Sequence, residues 1–306
     1  NRALSGQYPP GSVFKIVVAL AGLEEGVFRP TEKVTCRGVF PFRGRDYHCW
    51  KEHGHGPVNL YRALKESCDI YFYTMGRRLG VDRIAAYAKK LGLGKKTGFD
   101  AGQEKAGLIP TRAWKLRRFG IRWQAGETIS TSIGQSYVLV TPIQAANLIS
   151  AVFNGGRLYR PQATMWVGKT ENEKIHQFTP KLTGRAEIKP GHMELVKKAL
   201  IGVVNEPHGT ASKARLGHIT VAGKTGTAQV VALEKDDGKR KEKDVPLRFK
   251  DHAWFVAVAP AENPKIALAI VVEHGGHGGS AAAPIAGAMI EAYLGHSPQE
   301  GTRLKD

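Results

Sequence analysis

The sequence has no apolar run of transmembrane length and no leader with a charged start, an apolar middle and a small-residue cleavage site. Its first dense motif arrives within a dozen residues, so it reads as a piece of a longer protein whose anchor and upstream pedestal lie outside it. Cysteine is scarce: an odd count of 3 excludes a closed disulfide framework. Acidic residues are the minority, with 27 Asp and Glu against 45 Lys and Arg, leaving a formal charge of +18. Such an excess calls for anionic partners, a membrane surface or a carboxylate-rich polymer among them. It does not call for nucleic acid. The basic pairs (Arg77–Arg78, Lys89–Lys90, Lys95–Lys96, Arg117–Arg118) are scattered, lack interleaved aromatics and belong to no recognition module. There is no internal repeat, so solenoids and propellers are excluded as well.

What is present divides unevenly. Ser12 to Leu23 is densely apolar, follows Pro9-Pro10-Gly11 and ends at Gly26, which predicts a buried helix with Ser12 at its N-terminus. Residues 30–58 are rich in Gly, Arg, Cys and His, lack periodicity and are expected to be irregular. Helical patterns then run from Asn59 to Gly156, including Val81–Leu91 and Pro142–Phe153. Residues 163–179 suit a polar hairpin. Further on come a helix, His192–Asn205, and a strand, Ile219–Ala222, leading into Gly223. Two runs of strong β formers, Ala253–Ala259 and Ile266–Val272, are joined by Ala261-Glu262-Asn263-Pro264-Lys265, a hairpin signature. An apolar helix over Pro284–Leu294 closes the chain, and charged Glu234–Lys250 is expected to be a mobile loop.

Ser12-Val13-Phe14-Lys15 is an S-x-x-K string. Residues three apart share a helix face, so Lys15 can reach the Ser12 hydroxyl. The helix N-terminus supplies a positive dipole end and free N–H groups where an oxyanion would form. A lysine that takes a proton from serine must be neutral part of the time, and burial among apolar residues favours that state. A capping serine and a snorkelling lysine would give the same string, so a second signal is needed. Lys224-Thr225-Gly226-Thr227, at the end of the predicted strand, offers an ammonium and two hydroxyls for a substrate carboxylate, with Gly226 leaving room for a substrate backbone. Ser67-Cys68-Asp69 adds a hydroxyl and a polar neighbour in a helical setting.

These strings in this order resemble the S-x-x-K, S-x-N or S-x-D, and K-T-G set of penicillin-recognising enzymes. The fuller Tyr8–Lys15 and Gly223–Ala228 segments are similar to the transpeptidase domain of class B penicillin-binding proteins. Trp50–Gly56, Ser67–Tyr73 and Thr141–Gln144 are similar to its elongation-type, rod-shape branch. The resemblance covers nearly the whole chain. It implies an α+β fold, a mainly antiparallel sheet flanked by helices with an adjoining helical lobe, as in the serine β-lactamases. The sheet lobe would take residues 1–30 and 191–306 and the helical lobe 59–160. It further implies that Ser12 attacks the penultimate D-Ala of a peptidoglycan stem peptide ending in D-Ala-D-Ala, with Lys15 as base and Ser67 as proton relay. The N–H groups of Ser12 and Thr227 would form the oxyanion hole, and Lys224, Thr225 and Thr227 would hold the terminal carboxylate or a β-lactam mimic. The parent would sit in the inner membrane with this domain in the periplasm, beside a membrane glycan polymerase of the elongation machinery. Asp69 stands where many relatives carry Asn.

Other functions make different demands. A class A β-lactamase needs a deacylating carboxylate, and the helical lobe has no E-x-x-L-N string. A D,D-carboxypeptidase would pass the same acyl group to water, a β-lactam sensor would follow a membrane signalling module, and a basic scaffold would not react with penicillin at all. The cysteines make a separate case. Cys36, Cys49 and Cys68 with His55 give C-x12-C-x5-H-x12-C, enough for a closed tetrahedral zinc site, with His48 and His53 competing for the fourth place. A Cys36–Cys49 disulfide with Cys68 as a small buried residue is the alternative. Zinc is favoured because it accounts for all the thiols, and because residues 30–58 have too little apolar content to order themselves unaided.

Overall fold

Pro10 already takes the helical backbone region, and the chain tightens just ahead of Ser12, though not at once into an α-helix. In the computed structural model, which describes residues 1–100, 102–170, 172–229 and 246–295, a 3-10 turn spans Gly11–Phe14 and the α-helix proper is Lys15–Glu24. Ser12 therefore caps nothing with its side chain; it sits inside the turn. This helix (α2, after the short α1 at Arg2–Ser5) is buried all round from Lys15 to Leu23, as expected of a helix apolar on every face.

Residues 30–58 are more ordered than their composition predicts. β1 (Val34–Cys36) pairs antiparallel with β4 (Gly56–Val58), and β2 (Val39–Phe42) with β3 (Arg45–His48). The strands are too short to leave a periodic signal. Helices α3 (Leu60–Lys65), α4 (Asp69–Leu79) and α5 (Val81–Lys90) follow, then irregular chain to α6 (Arg112–Phe119), α7 (Ala125–Thr131) and α8 (Pro142–Phe153). α8 begins where its sequence says it must: Thr141 and Gln144 close a capping box and Pro142 takes the first helical position. The polar hairpin is present as β6 (Trp166–Gly168) and β7 (Lys174–Gln177), framed by a second pair, β5 (Arg157–Tyr159) with β8 (Leu182–Arg185).

After α9 (Pro190–Asn205) comes the main sheet, antiparallel in the order β11 (Ile266–Val272), β10 (His252–Ala259), β9 (Ala222–Ala228). The predicted strand over 219–222 is displaced: β9 starts at Ala222 and contains Lys224-Thr225-Gly226-Thr227 instead of ending before it. Pairing with β10 outweighs the weak strand preference of its glycines and alanines. Among the described residues no strand from the N-terminal end joins this sheet, so it does not draw on both ends of the chain as expected; Tyr8 makes only an isolated bridge to Val140. β10 is the spine. Trp254, Val256 and Val258 face one core with α2 and α8, while Phe255, Ala257 and Ala259 face a second under α10 (Gly278–Gly295). α10 starts six residues before the expected Pro284, because Ala282, Ala283 and Ala286 pack under the sheet and hold the turn that precedes the proline. Of the loop expected over Glu234–Lys250, residues 234–245 lie outside the described residues, and Leu247–Phe249 forms a 3-10 turn.

Candidate active site

The Ser12 turn is pressed against the outer edge of β9. Gly11 has φ +53, and a Cβ there would fall 2.3 Å from the Thr227 carbonyl oxygen. A Cβ on Gly226 would fall 2.6 Å from the Pro10 carbonyl oxygen, so this glycine makes room for the protein's own serine turn, where the sequence suggested room for a substrate backbone. Gln135 Nε2 donates to the Thr227 carbonyl at 3.0 Å. Because N–H and C=O of one strand residue point to the same side, the Thr227 N–H also faces away from β10 and toward the Ser12 turn.

Lys15 is fully buried, and its ammonium donates to Asp69 Oδ1 at 2.6 Å, to the Ser67 carbonyl at 2.8 Å and to Ser67 Oγ at 3.2 Å. That uses all its donors. The half-buried Ser12 hydroxyl has no hydrogen-bond partner among the described residues, so the direct Ser12–Lys15 bond suggested by the spacing gives way to a stronger one with a carboxylate. Lys224 comes in from β9 and donates to the same Ser67 Oγ at 2.9 Å. With both lone pairs of Ser67 Oγ engaged by lysines, its own O–H is free to donate elsewhere. Burial, and then the neighbouring Lys15 charge, hold Lys224 well below the usual lysine range, with Asp69 opposing. Burial raises Asp69 while the Lys15 ammonium pulls it down.

Alternation along β9 separates groups that the sequence had placed in one pocket. Lys224 faces Ser67, whereas Thr225 points to the other side, where its hydroxyl meets that of Thr210 at 2.7 Å. Thr210 and Gln135 carry no local signal that would have found them.

Ser67 itself is left-handed, at φ +56. Two donors fix its carbonyl: the Lys15 ammonium and the Trp50 indole, whose Nε1 donates at 3.0 Å. The Trp50 backbone N–H donates to Asp69 Oδ2 at 2.9 Å, and its ring stands edge-on to His55 at 5.5 Å. Trp50 thus joins the serine centre to a second cluster. Cys36, Cys49, His55 and Cys68 are all buried, with one ligand atom from each within 4.8 Å of the others. His48 and His53 are exposed and stand aside, and all three thiols are free, so the disulfide alternative does not hold. His55 Nδ1 lies 3.6 Å from Cys36 Sγ and 3.5 Å from Cys49 Sγ. A tetrahedral ion with bonds of about 2.3 Å to sulfur and about 2.0 Å to nitrogen has a sulfur–nitrogen edge of about 3.5 Å. The donor set fits. Hydrogen bonds from the Cys49 and Cys68 thiols pull Cys36 far below the usual thiol range, while hydrogen bonds with Cys36 and Cys49 push Cys68 above it.

The family of the penicillin binding protein transpeptidase domain matches residues 1–291. The chain belongs to that family. Its similarity to peptidoglycan D,D-transpeptidase MrdA of Salmonella typhimurium is 35% identity over all of this chain and 49% of that protein, so the chain spans about half the length of the curated relatives it matches. The Pseudomonas aeruginosa PBP2 structure in complex with WCK 5153 superposes with a TM-score of 0.80 at 36% identity, covering 96% of this chain and 60% of that one. The Helicobacter pylori PBP2–MreC complex gives a TM-score of 0.81 at 32% identity, covering 97% and 51%. The transpeptidase fold expected from the three motifs is therefore the fold of this chain, and the motifs are neighbours in it: Ser12 by sequence to Lys15, and both buried lysines to Ser67.

Proposed function

We propose that this domain is a serine D,D-transpeptidase that cross-links peptidoglycan stem peptides during lateral wall elongation. The observation that carries the reading is the Ser67 hydroxyl, bracketed by Lys15 and Lys224 beside a serine turn that abuts the edge of β9. Lys15 first gives up a proton to Asp69, its partner at 2.6 Å; Ser12 Oγ then attacks the penultimate D-Ala carbonyl carbon, and its proton passes to the neutral Lys15 amine. The developing oxyanion lies between the N–H groups of Ser12 and Thr227. The Ser67 O–H protonates the departing D-Ala nitrogen as the C–N bond breaks, and a lysine replaces that proton. A second stem-peptide amine then attacks the ester and releases Ser12. β-Lactams would stop at the ester. Thr225 and Thr227 hold the terminal carboxylate, with Thr210 orienting the Thr225 hydroxyl, and Lys224 reaches Ser67 from behind them.

Cys36, Cys49 and Cys68 as thiolates and His55 through Nδ1 would hold a zinc ion, which would cross-link residues 34–58 to the Ser67–Asp69 corner and leave no position open for water. The parent protein would sit in the inner membrane with this domain in the periplasm, working beside a glycan polymerase, in keeping with a similar structure solved within a peptidoglycan synthase complex. Mass spectrometry after incubation with benzylpenicillin tests the core of the proposal. One adduct, on the peptide containing Ser12, is the expected result; an adduct elsewhere, or none, refutes it.

A further inference from the structure

Two adjoining cavities, of about 640 and 490 Å3, share Phe42, Arg43, Gln124 and Ala125 and so form one groove. Its inner end lies at the proposed reaction centre. Pro9 is three residues before Ser12, Gln135 holds the Thr227 carbonyl, and Gln229 directly follows the last residue of β9. Its outer part runs between the β2–β3 hairpin and the α6–α7 segment, and there the lining changes to arginine: Arg43, Arg45, Arg77, Arg112 and Arg122, all exposed.

Counter-charge is almost missing. Of these arginines only Arg112 has an acidic partner among the described residues, Asp82 at 3.5 Å. Glu127 is the one acid lining either cavity, and its carboxylate is taken by Lys115. Arg43 and Arg45 lie over the Phe42 and Tyr47 rings, at 5.7 and 5.2 Å, which orients their guanidinium planes without neutralising them. Like charges gathered without partners repel one another, and in a concave site they focus a field that draws anions. Planar guanidinium groups suit carboxylates in particular. The inner end, with Gln124, Ser130, Gln135 and Gln229, offers neutral donors and acceptors matched to a peptide backbone.

We infer that this groove binds a carboxylate-bearing peptide arm, the part of the stem peptide that extends away from the reacting D-Ala-D-Ala end. The inference rests on the transpeptidase reading, since the groove opens from that serine. An uncharged glycan would have no use for the arginines. Nucleic acid would need exposed stacking rings, whereas the Trp123 indole is tied to Thr128 at 2.8 Å.

The test compares two synthetic peptides ending in D-Ala-D-Ala, one with two free carboxylates upstream and the other with both amidated. The wild type should show a KM about tenfold lower for the acidic peptide at low salt, and the gap should narrow as salt rises. Arg43→Ala/Arg77→Ala/Arg122→Ala should raise the KM for the acidic peptide about tenfold, leave kcat and the diamide unchanged, and keep the wild-type rate of acylation by benzylpenicillin. If the triple variant does not fold, Arg77→Gln/Arg122→Gln should give a smaller shift in the same direction. Equal handling of the two peptides by the wild type, or a preference that survives in the variants, overturns the groove while penicillin labelling still upholds the serine. A wild type that penicillin does not label strikes at the transpeptidase reading instead.

Discussion

The serine centre and the cysteine–histidine centre lie side by side, joined through Trp50 and the Ser67-Cys68-Asp69 corner, and both bury groups that are costly to bury. They resolve the cost differently. At the serine centre the polar groups close on themselves: Lys15 has its carboxylate, burial holds Lys224 well below the usual lysine range, and Ser67 accepts from both. At the cysteine centre nothing internal balances the books. The thiols have one another, His55 and the backbone N–H groups of Gly38, Lys51 and Tyr71, and His55 Nε2 has no partner among the described residues. A buried polar cluster that satisfies itself is machinery; one that does not is waiting for a ligand.

The sharpest way to separate the two is Ser12→Ala. It should abolish all penicillin adduct while moving the melting temperature by less than about 2 °C, because the Ser12 hydroxyl makes no hydrogen bond among the described residues and removing it leaves none of them unpaired. Full labelling of this variant would end the assignment of the nucleophile.

Metal removal should do the reverse. Gently purified protein is expected to carry about one zinc per chain. Chelation should expose the thiols to a thiol reagent, lower the melting temperature by about 10 °C or more and slow acylation with Ser12 still in place, given that structural zinc contributes about 10 kcal/mol or more in small domains. A metal-free protein with normal acylation and unchanged melting would break the comparison at its second half.

A pH series on Lys224→Met probes whether the serine centre spends stability on function. Folding lowers the Lys224 pKa, so between its folded and ordinary values the unfolded chain binds more protons than the native one. Wild-type stability should therefore rise with pH across that window, by up to about 1.4 kcal/mol per unit, up to the usual lysine range near 10.4. The variant lacks this term, so it should gain on the wild type at neutral pH and lose that advantage as pH rises. A pH-independent difference in denaturant midpoints would mean that Lys224 stays charged.

The smallest expected effect is that of Trp50→Phe. It keeps a ring against His55 but loses the indole N–H that fixes the Ser67 carbonyl, an interaction of about 1 kcal/mol. Acylation should slow about fivefold with zinc retained and penicillin affinity unchanged, and restoring Trp should restore the rate. Loss of zinc in this variant would place Trp50 with the cysteine centre alone.

Much of this was legible in the sequence, wherever the decisive interaction is local. The strong β formers of Ala253–Ala259 and Ile266–Val272 contain the whole of β10 bar its first residue and all of β11. Pro142–Phe153 is bounded as its capping box and the glycines after it require. Ser12 and Lys15, three apart, had to share a turn, and the spacing of Cys36, Cys49 and Cys68 already called for a fourth ligand nearby. Tertiary structure decided the rest, because those choices lie between segments distant in the chain. It selected His55 over His48 and His53 by burying only one imidazole among the thiols. It gave Lys15 to Asp69 in place of Ser12, since a buried ammonium takes the carboxylate that α4 brings within reach. It carried β9 through Lys224-Thr225-Gly226-Thr227 by pairing it with β10, and so put Lys224 and Thr225 on opposite faces. A strand's period of two and the path of its neighbour, neither written in the four residues themselves, set which way each of them points.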